Sequence, residues 1–310
     1  MKLVMLGSGA VGSYFGAQLQ KSGQAVIFVA RGRQLRALRE RGLTVISDGV
    51  ETRLPSVTAT DDIAAIGAVD TVLISIKTWQ FTPILPLLTS LKGENTRFLT
   101  LQNGVEAPGL IADVIGAENT LGGLVRGFFE LDAPGVVRHV GVQPRIIFGQ
   151  IEGTRTPEAE RLLHSFSDAA IAAEIPADIQ VALWEKFILV TALGSVGTVT
   201  RATIGEVRDY PPTYQMLRDV MREIAAVGRA RGVKLSDDVV ERTMKFADNV
   251  PHEATTSMYR DIVGGLPSEL DAQTGAVVRL AREVGVSIPT NQFIYDSLFL
   301  QEQRAQATHP

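Results

Sequence analysis

The chain has 310 residues, a formal net charge of −4 and an apolar content of 45%. This length is ample for two domains, and this apolar content excludes disorder as the main state. The near-neutral charge gives no whole-chain attraction to nucleic acid or anionic lipid, so we expect neither partner. The sequence contains no cysteine, which excludes disulfides and thiolate metal sites. No metal site is expected from its scattered histidines, His139, His164, His252 and His309.

Signals of a membrane or secreted protein are also missing from the sequence. No uninterrupted apolar run reaches the length of about 18 residues that predicts a membrane span. Glycines interrupt the apolar start of the chain after Leu6, and no small-residue cleavage site follows a long apolar region. We therefore expect a cytoplasmic protein without a membrane partner.

The first part of the chain alternates short apolar runs with amphipathic stretches. Continuous apolar runs are typical of parallel strands buried on both faces, and five are predicted here: Lys2–Leu6, Ala25–Val29, Thr71–Ile76, Phe98–Leu101 and Arg145–Phe148. Helical patterns separate them at Val11–Ser22, Gln34–Arg41, Pro83–Leu91 and Ala107–Ile115. This alternation predicts the α/β class, with an N-terminal Rossmann-type, doubly wound parallel sheet.

Helical patterns dominate after a last short strand near Ala173–Pro176. They cover Ile179–Val196, Thr213–Arg231, Ser236–Asn249, Ser257–Val263, Glu269–Glu283 and Gln292–Glu302. We therefore predict a Rossmann domain over residues 1–177 and an all-α substrate domain over residues 178–310. Apolar helices in the second domain could also support a homodimer.

A glycine-rich turn follows the first predicted strand and precedes the first helical pattern. Its sequence is Gly7-Ser8-Gly9-Ala10-Val11-Gly12. In such a turn, the first glycine permits a tight bend, the second leaves room for a pyrophosphate, and the third lets helix and strand pack closely. The pyrophosphate then binds backbone N–H groups at the positive end of the helix. A close-packed turn without a ligand is the structural alternative.

The end of the second predicted strand indicates which dinucleotide is bound. An acidic residue there would bind the ribose 2′-hydroxyl of NAD, but the sequence continues into Arg31, Gly32 and Arg33. An arginine can bind a 2′-phosphate with charge-assisted hydrogen bonds. We predict NADP(H) as the cofactor, with Arg31 as a cofactor-binding residue. The alternative is that these arginines merely lie on a solvated helix start.

Two further polar residues follow neighbouring strands at the edge where open α/β sheets bind ligands. Lys77 follows the third predicted strand, and Asn103 follows the fourth. A lysine can contact a cofactor or an anionic substrate, and an amide can both donate and accept hydrogen bonds. A surface lysine and an Asn103-Gly104 turn are the structural alternatives.

One lysine stands in an otherwise apolar helical pattern. Glu185 and Lys186 are the only charged residues of the stretch Ile179–Thr200. A buried ammonium is costly to desolvate, so this position requires a reason. Lys186 could donate a proton to a carbonyl oxygen as a hydride reaches the carbon. It could instead extend its ammonium to solvent at the domain boundary or pair with a structural acid.

Together these residues resemble the ketopantoate reductase (2-dehydropantoate 2-reductase) family over nearly the whole chain. The shared motifs are GSGAVG at 7–12, IKTWQ at 76–80, LQNG at 101–104, LWEKF at 183–187, TSMYRDI at 256–262 and PSELD at 267–271. The resemblance implies a Rossmann domain, an all-α domain and a small 2-keto acid substrate. It implies reduction of the C2 ketone of ketopantoate by NADPH, on the route to pantothenate and coenzyme A.

The resemblance also implies roles for individual residues. Lys186 corresponds to the catalytic general acid. Glu269 corresponds to the acid that holds the substrate hydroxyl near the nicotinamide ribose, and Ser257 to a substrate-binding residue. Asn103 and Lys77 correspond to residues at the junction of cofactor and substrate. Gly127 falls where the family has another backbone contact to NADP.

The sequence departs from the family at several substrate amides. Members of the family carry asparagine where this chain has Val190, Gly194, Ile204 and Ala254. Each lost hydrogen bond is worth roughly 0.5–1.5 kcal/mol. The next charge after Lys186 is Arg201, which we predict as a replacement anchor for the substrate carboxylate.

Other functions stay open at this point. A reductase of a different 2-keto acid would use the same cofactor and Lys186, and the missing amides favour it. A relation to the β-hydroxyacid and 6-phosphogluconate dehydrogenases predicts a different glycine-rich segment before the lysine, which the sequence lacks. A non-catalytic NADPH-binding regulator predicts cofactor binding without turnover and tolerance of Lys186→Ala.

Overall fold

The computed structural model describes residues 1–308, so His309 lies outside the described residues. The chain divides into two compact units. The first comprises Met1–Gln102 and Ala107–Ile179, and the second comprises Asn103–Glu106 and the chain from Gln180 onward. The four-residue segment Asn103–Glu106 therefore packs with the second unit, although the chain on either side of it belongs to the first.

The first unit is built on one mixed sheet, with ten strands in the described chain. These are β1 (Lys2–Leu6), β2 (Ala25–Val29), β3 (Leu43–Ser47), β4 (Val50–Leu54), β5 (Thr58–Thr60), β6 (Thr71–Ile74), β7 (Arg97–Thr100), β8 (Thr120–Ala133), β9 (Val136–Gln150) and β10 (Ala172–Glu174). The order across the sheet is β4-β3-β9-β8-β7-β6-β1-β2-β5, and β10 pairs with β9. From β5 to β8, neighbouring strands in this order are parallel.

Helices cover both faces of this sheet. They are α1 (Ala10–Lys21), α2 (Gly32–Arg41), α3 (Ala107–Ile115) and α4 (Pro157–Asp168), with 3-10 helices at Thr78–Gln80, Leu85–Leu91 and Ala117–Asn119. Successive residues of β1 enter two different apolar clusters: Leu3 and Met5 pack in one, and Val4 and Leu6 in the other. Burial on both faces explains why this strand is continuously apolar.

The predicted fold class is confirmed, but the sheet is not wholly parallel. Strands β8 and β9 form a long antiparallel hairpin, and β3 and β4 form a second one. The prediction missed β8 because its outer half alternates charged and apolar residues instead of forming a continuous apolar run. The helix predicted at Pro83–Leu91 is a 3-10 helix at Leu85–Leu91, with Pro86 in its first turn.

The second unit consists of helices in the part of the chain that the structure describes. They are α5 (Ile179–Thr200), α6 (Ile204–Asp209), α7 (Pro211–Ala230), α8 (Val239–Asp248), α9 (Ser257–Val263), α10 (Ala276–Val284) and α11 (Pro289–Thr308). The helix predicted from Glu269 instead begins with a single π-helical turn at Asp271–Gly275, which leads into α10. This turn changes which side chains of the segment point inward.

Helix α5 forms the centre of this unit's core. Trp184, Phe187 and Ile188 are each at most 3% exposed and pack in one apolar cluster with residues of α7, α8 and α10. Among the described helices, α5 alone is long and apolar enough to cross a membrane by length and composition. However, 61% of the most apolar 18-residue stretch of this helix is buried inside the protein. Its apolar composition is therefore that of a core helix.

Candidate active site

The glycine turn, residues Gly7–Gly12, is held tightly between β1, β2 and the end of β6. Gly7 has φ +103°, and its N–H donates to the carbonyl of Val29 at 3.2 Å. The Ser75 hydroxyl donates to the carbonyl of Gly7 at 2.7 Å. A Cβ on Gly12 would lie 2.0 Å from that same carbonyl oxygen, so only glycine fits there. Two of the three glycines are thus required by the protein's own packing.

Gly9 is different, because packing does not require it. A Cβ at this position would meet no atom within 4 Å. Gly9 is the N-cap residue of α1, and no side chain caps that helix end. The open space beside Gly9 and the uncapped N–H groups of α1 are what a dinucleotide pyrophosphate requires. The turn therefore fits a nicotinamide dinucleotide.

Arg31 comes two residues after Val29, whose carbonyl accepts from the N–H groups of Gly7 and Ser8 in the glycine turn. It is the N-cap residue of α2, is exposed, and has an extended backbone with φ −132°. Gln34, in the first turn of α2, donates to the carbonyl of Ser8 at 2.8 Å and thereby ties this helix start to the glycine turn. In the described chain, no carboxylate pairs with the Arg31 guanidinium. The position suits a ligand phosphate.

Lys77 and Gly127 also lie in the first unit. Lys77 is half-buried and follows β6 as the N-cap residue of the 3-10 helix Thr78–Gln80. Gly127 lies at an irregularity of the β8–β9 pairing with φ +140°, and a Cβ there would come within 2.8 Å of the Phe129 ring. The local geometry of the strand thus accounts for this glycine, and its contact with a cofactor stays a prediction.

The second unit brings together two predicted substrate residues that are far apart in sequence. The Asn103 amide donates to a carboxylate oxygen of Glu269 at 3.3 Å, across a separation of 166 residues. Glu269 is only 6% exposed, whereas Asn103 is half-buried. The contact therefore leaves the amide oxygen of Asn103 able to accept a further hydrogen bond from a ligand.

Ser268, the residue before Glu269, is bonded to a carboxylate that the sequence did not predict. The backbone N–H of Ser268 donates to both carboxylate oxygens of Glu302 at 3.1 Å, and the Ser268 hydroxyl also donates to it. Glu302 lies on α11 and is 3% exposed. No signal in the sequence distinguishes Glu302 from the surrounding polar residues of that helix, so only the structure could identify it.

Asp271 anchors the turn after Glu269 through two side-chain donors. Its carboxylate accepts from Arg279 at 2.8 Å and from the Tyr295 hydroxyl at 2.9 Å, and Arg279 also pairs with Glu106 at 2.7 Å. Burial, with the hydrogen bond to Asp271, raises the pKa of Tyr295 to about 12. Burial lowers the pKa of Arg279, but Glu106 and Asp271 outweigh this and raise it overall. Both donors therefore stay protonated at neutral pH.

Lys186 lies on α5 at the boundary of the apolar core. Its neighbours in sequence, Trp184, Phe187 and Ile188, are buried, and Lys186 itself is half-buried. The adjacent Glu185 pairs with Arg242 of α8 at 2.7 Å. Lys186 is thus carried by a core helix but is not fully enclosed, as a proton donor to a bound ligand must be.

Helix α5, the start of α9 and the π turn meet at Gly194. A Cβ on Gly194 would lie 3.5 Å from the Thr256 hydroxyl, next to Ser257, which is the first residue of α9. The buried hydroxyls of Ser195 and Thr274 bond to each other at 2.7 Å and join α5 to the π turn. The segments that carry Lys186, Ser257 and Glu269 are therefore direct neighbours.

Arg201 does not join this group. It follows the last residue of α5, is exposed, and has φ +54°. The 15 residues from Lys186 to Arg201 span about 22 Å at the rise of an α-helix. Both side chains would have to extend fully toward each other to share one small substrate. This geometry argues against the predicted carboxylate anchor.

The four positions without the family's asparagine have different surroundings. Ile204 is 5% exposed and packs in the core, and its N–H donates to the carbonyl of Ala254 at 3.0 Å. Val190 and Gly194 follow Lys186 on α5 by one and two turns.

Within residues 1–308, no group of three histidine, aspartate or glutamate side chains could hold a metal ion.

Comparisons with known proteins cover both units. The family model described as ketopantoate reductase PanE/ApbA matches residues 3–153, and its C-terminal counterpart matches residues 178–301. The 2-dehydropantoate 2-reductase of Mesorhizobium japonicum is 32% identical over 311 residues, which cover 94% of each chain.

Solved structures match over similar lengths. The crystal structure of 2-dehydropantoate 2-reductase from Geobacter metallireducens has a TM-score of 0.90 and 28% identity, covering 97% of this chain and 99% of that one. The ternary structure of D-mandelate dehydrogenase with NADH and anilino(oxo)acetate has a TM-score of 0.89 at 22% identity, covering 99% of this chain and 100% of that one. The second likeness is one of fold.

Proposed function

Because the chain belongs to the ketopantoate reductase PanE/ApbA family, whose members are oxidoreductases that use nicotinamide cofactors, we propose that it reduces 2-dehydropantoate (ketopantoate) to (R)-pantoate with NADPH. The observation that carries this proposal is the hydrogen bond between Asn103 and Glu269. Two residues with proposed substrate roles, from opposite halves of the chain, are adjacent in the folded protein. Neither the apolar core nor the sheet requires this contact.

Lys186 is the proposed general acid. When bound, NADPH would supply a hydride to the C2 carbonyl carbon. As negative charge develops on the carbonyl oxygen, the Lys186 ammonium donates a proton to it, which yields the C2 hydroxyl. The rigid core position of α5 keeps the ammonium in place, so that positioning and electrostatic stabilisation act together.

The other residues hold the substrate and cofactor. Glu269 accepts a hydrogen bond from the substrate hydroxyl, and Ser257 donates one to the substrate. Asn103 contributes an amide at the junction with the nicotinamide ribose, and Lys77 contributes a positive charge. Gly7, Ser8, Gly9, Ala10, Val11 and Gly12 cradle the pyrophosphate, Gly127 adds a backbone contact, and Arg31 binds the 2′-phosphate.

A different 2-keto acid is the second candidate substrate. The observation that favours it is Gly194, where the chain lacks a side chain next to the Ser257 and Glu269 segments. We also propose a cytoplasmic location and a homodimer formed through the helical unit. Reaction of a small metabolite with a diffusing cofactor requires neither a nucleic acid nor a membrane partner.

A steady-state panel of 2-keto acids with NADPH tests the proposal. We expect ketopantoate to give the highest kcat/KM and (R)-pantoate as the product. The loss of NADPH absorbance measures the rate, and chiral chromatography identifies the product. A higher kcat/KM with another acid would support the second candidate. NADPH binding without turnover of any acid would instead support the non-catalytic regulator.

A further inference from the structure

Gln273 is a buried amide that the proposed reaction does not use. It lies in the π turn, is 2% exposed, and its backbone N–H donates to the carbonyl of Glu269 at 2.9 Å. Within the described part of the chain, no protein group bonds to its side-chain amide, and neither amide atom is among the fully enclosed side-chain atoms that lack a partner. An amide with slight access to solvent and no protein partner is normally satisfied by water or a ligand. The Gln273 amide is therefore able to bind a ligand group.

The Gln273 side chain reaches into the space of residue 194. A Cβ on Gly194 would lie 3.4 Å from the Gln273 amide oxygen and 2.9 Å from the terminal methyl of Met258. Gly194 is two turns beyond Lys186 on α5, and an asparagine there would project its amide into this same space. Gln273 thus extends into space that an asparagine at position 194 would otherwise fill.

Gln273 lies near the segments that carry two residues with proposed substrate roles, Glu269 and Ser257. Glu269 lies one helical turn before Gln273. The hydroxyl of Thr256, the residue before Ser257, would lie 3.5 Å from a Cβ on Gly194. A hydroxyl both donates and accepts hydrogen bonds, whereas a carboxylate such as Glu269 only accepts. A hydroxyl held by Glu269 therefore still needs a donor, which the amide NH₂ of Gln273 can supply.

We propose that Gln273 is a substrate-specificity residue that recognises the terminal hydroxyl of a hydroxylated 2-keto acid. Its amide replaces the one that position 194 lacks, and it donates to the hydroxyl oxygen while the hydroxyl donates to Glu269. The inference rests on the proposed function, because it assumes reduction of a 2-keto acid at this site. It narrows the substrate to acids with a hydrogen-bonding group at the end remote from the carboxylate.

The test compares two substrates that differ only in this hydroxyl. Ketopantoate carries it, and 3,3-dimethyl-2-oxobutanoate has a methyl group in place of the hydroxymethyl group. Gln273→Met keeps the length and lack of branching of the side chain but removes the amide. We expect kcat/KM for ketopantoate to fall by about tenfold or more, mainly through KM, and that for the analogue by at most about threefold.

Returning the amide to α5 provides a rescue. In the double variant Gly194→Asn with Gln273→Ala, the shortened side chain at position 273 leaves its space to the new amide, and the added Cβ presses only on the flexible end of Met258, at 2.9 Å. We expect this variant to recover most of the preference for ketopantoate over the analogue. Gln215→Met serves as the control, because Gln215 is an exposed residue of α7 bonded to Asp219, and it should change neither substrate.

The outcomes separate the inference from the proposed function. Wild-type turnover of ketopantoate tests the function, whereas the ratio of the two kcat/KM values tests the inference. Equal losses for both acids, or no loss for either, in a Gln273→Met protein with wild-type thermal unfolding would overturn the role of Gln273. If Gln273→Met does not fold, Gln273→Glu keeps the shape and removes the donor, and the same ratio decides.

Discussion

The glycine turn and the turn Ser268–Gly275, here called the Glu269 turn, both offer groups to a ligand but are built differently. The glycine turn is defined by missing side chains: a Cβ on Gly12 would strike the carbonyl of Gly7 at 2.0 Å. The Glu269 turn is defined by side chains from elsewhere, since Ser268 binds Glu302 on α11 and Asp271 binds Arg279 and Tyr295. The constraint at Gly12 comes from a residue five positions away, whereas the Glu269 turn depends on the packing of distant helices.

This difference determines how each site tolerates change. A local turn with backbone contacts can fail through a single added methyl group, because no flexible atom is available to move. A turn held by several side chains loses one contact at a time. We therefore expect a substitution in the glycine turn to change the free energy of unfolding either greatly or hardly at all. Substitutions around the Glu269 turn should change it in graded steps.

The largest expected effect compares two alanine substitutions within the glycine turn. Gly12→Ala should lower the free energy of unfolding by about 3 kcal/mol or more, because the added Cβ meets backbone. Gly9→Ala should leave it within about 1 kcal/mol, since its Cβ meets open space, but should weaken NADPH binding by about tenfold or more. Urea unfolding and fluorescence titration measure the two quantities. Equal effects on stability would contradict the account.

Graded loss around the Glu269 turn is tested by Glu302→Gln. The variant replaces a buried acceptor of the Ser268 N–H and hydroxyl, so we expect a loss of about 1–3 kcal/mol in the free energy of unfolding. Catalytic efficiency should also fall, because Glu269 is less firmly held. Ser268→Ala is the milder comparison, since it keeps the backbone donor. A destabilised Glu302→Gln protein with unchanged kcat/KM would show that Glu302 does not position Glu269.

Cofactor selection by Arg31 is a smaller effect. Arg31→Ala should weaken NADPH binding by roughly tenfold through loss of a charge-assisted contact, with little change in NADH binding. Arg36→Ala, an exposed arginine on the same helix, is the matched control. Isothermal titration with both cofactors gives the ratio of the dissociation constants for NADPH and NADH. The NADP assignment fails if the ratio is unchanged in Arg31→Ala.

The smallest expected effect concerns His252 on the surface of the second unit. Hydrogen bonds to Asp209 at 2.9 Å and Glu253 at 3.0 Å raise the pKa of this histidine above its usual value of 6.5. A raised pKa in the folded state stabilises the protein fully below about pH 6.5, and this contribution is lost as the pH rises through the folded-state value. Thermal unfolding of wild type and His252→Gln should therefore differ slightly at acid pH and converge at alkaline pH. A difference that grows with pH would contradict this assignment.

The same contrast explains what the sequence could predict. Strand β1, the glycine turn and the lysine of α5 were visible because their signals are contiguous: an apolar run, a spaced glycine motif, and a charge among apolar residues. The outer half of β8 was missed because its polar and apolar residues alternate. A local pattern predicts an element only when the element's own residues carry the reason for it.

The remaining parts depend on contacts between distant segments. The approach of Asn103 to Glu269 spans 166 residues, and the resemblance to the family, not periodicity, suggested that both act on the substrate. Glu302 and Gln273 gave no signal, since a buried polar residue in an amphipathic helix looks like any exposed one. Arg201 is the next charge after Lys186 in sequence, but the rise of α5 places it far from Lys186 in the fold.

The most direct test of the central claim is the kcat for ketopantoate reduction by NADPH in wild type and in Lys186→Ala. The account predicts that the variant binds NADPH with unchanged affinity and unfolds at a similar temperature. Its kcat should fall by about 10²-fold or more, as expected for loss of a positioned general acid. A Lys186→Ala protein with wild-type kcat would contradict the proposed mechanism and return Lys186 to a structural role at the edge of the core.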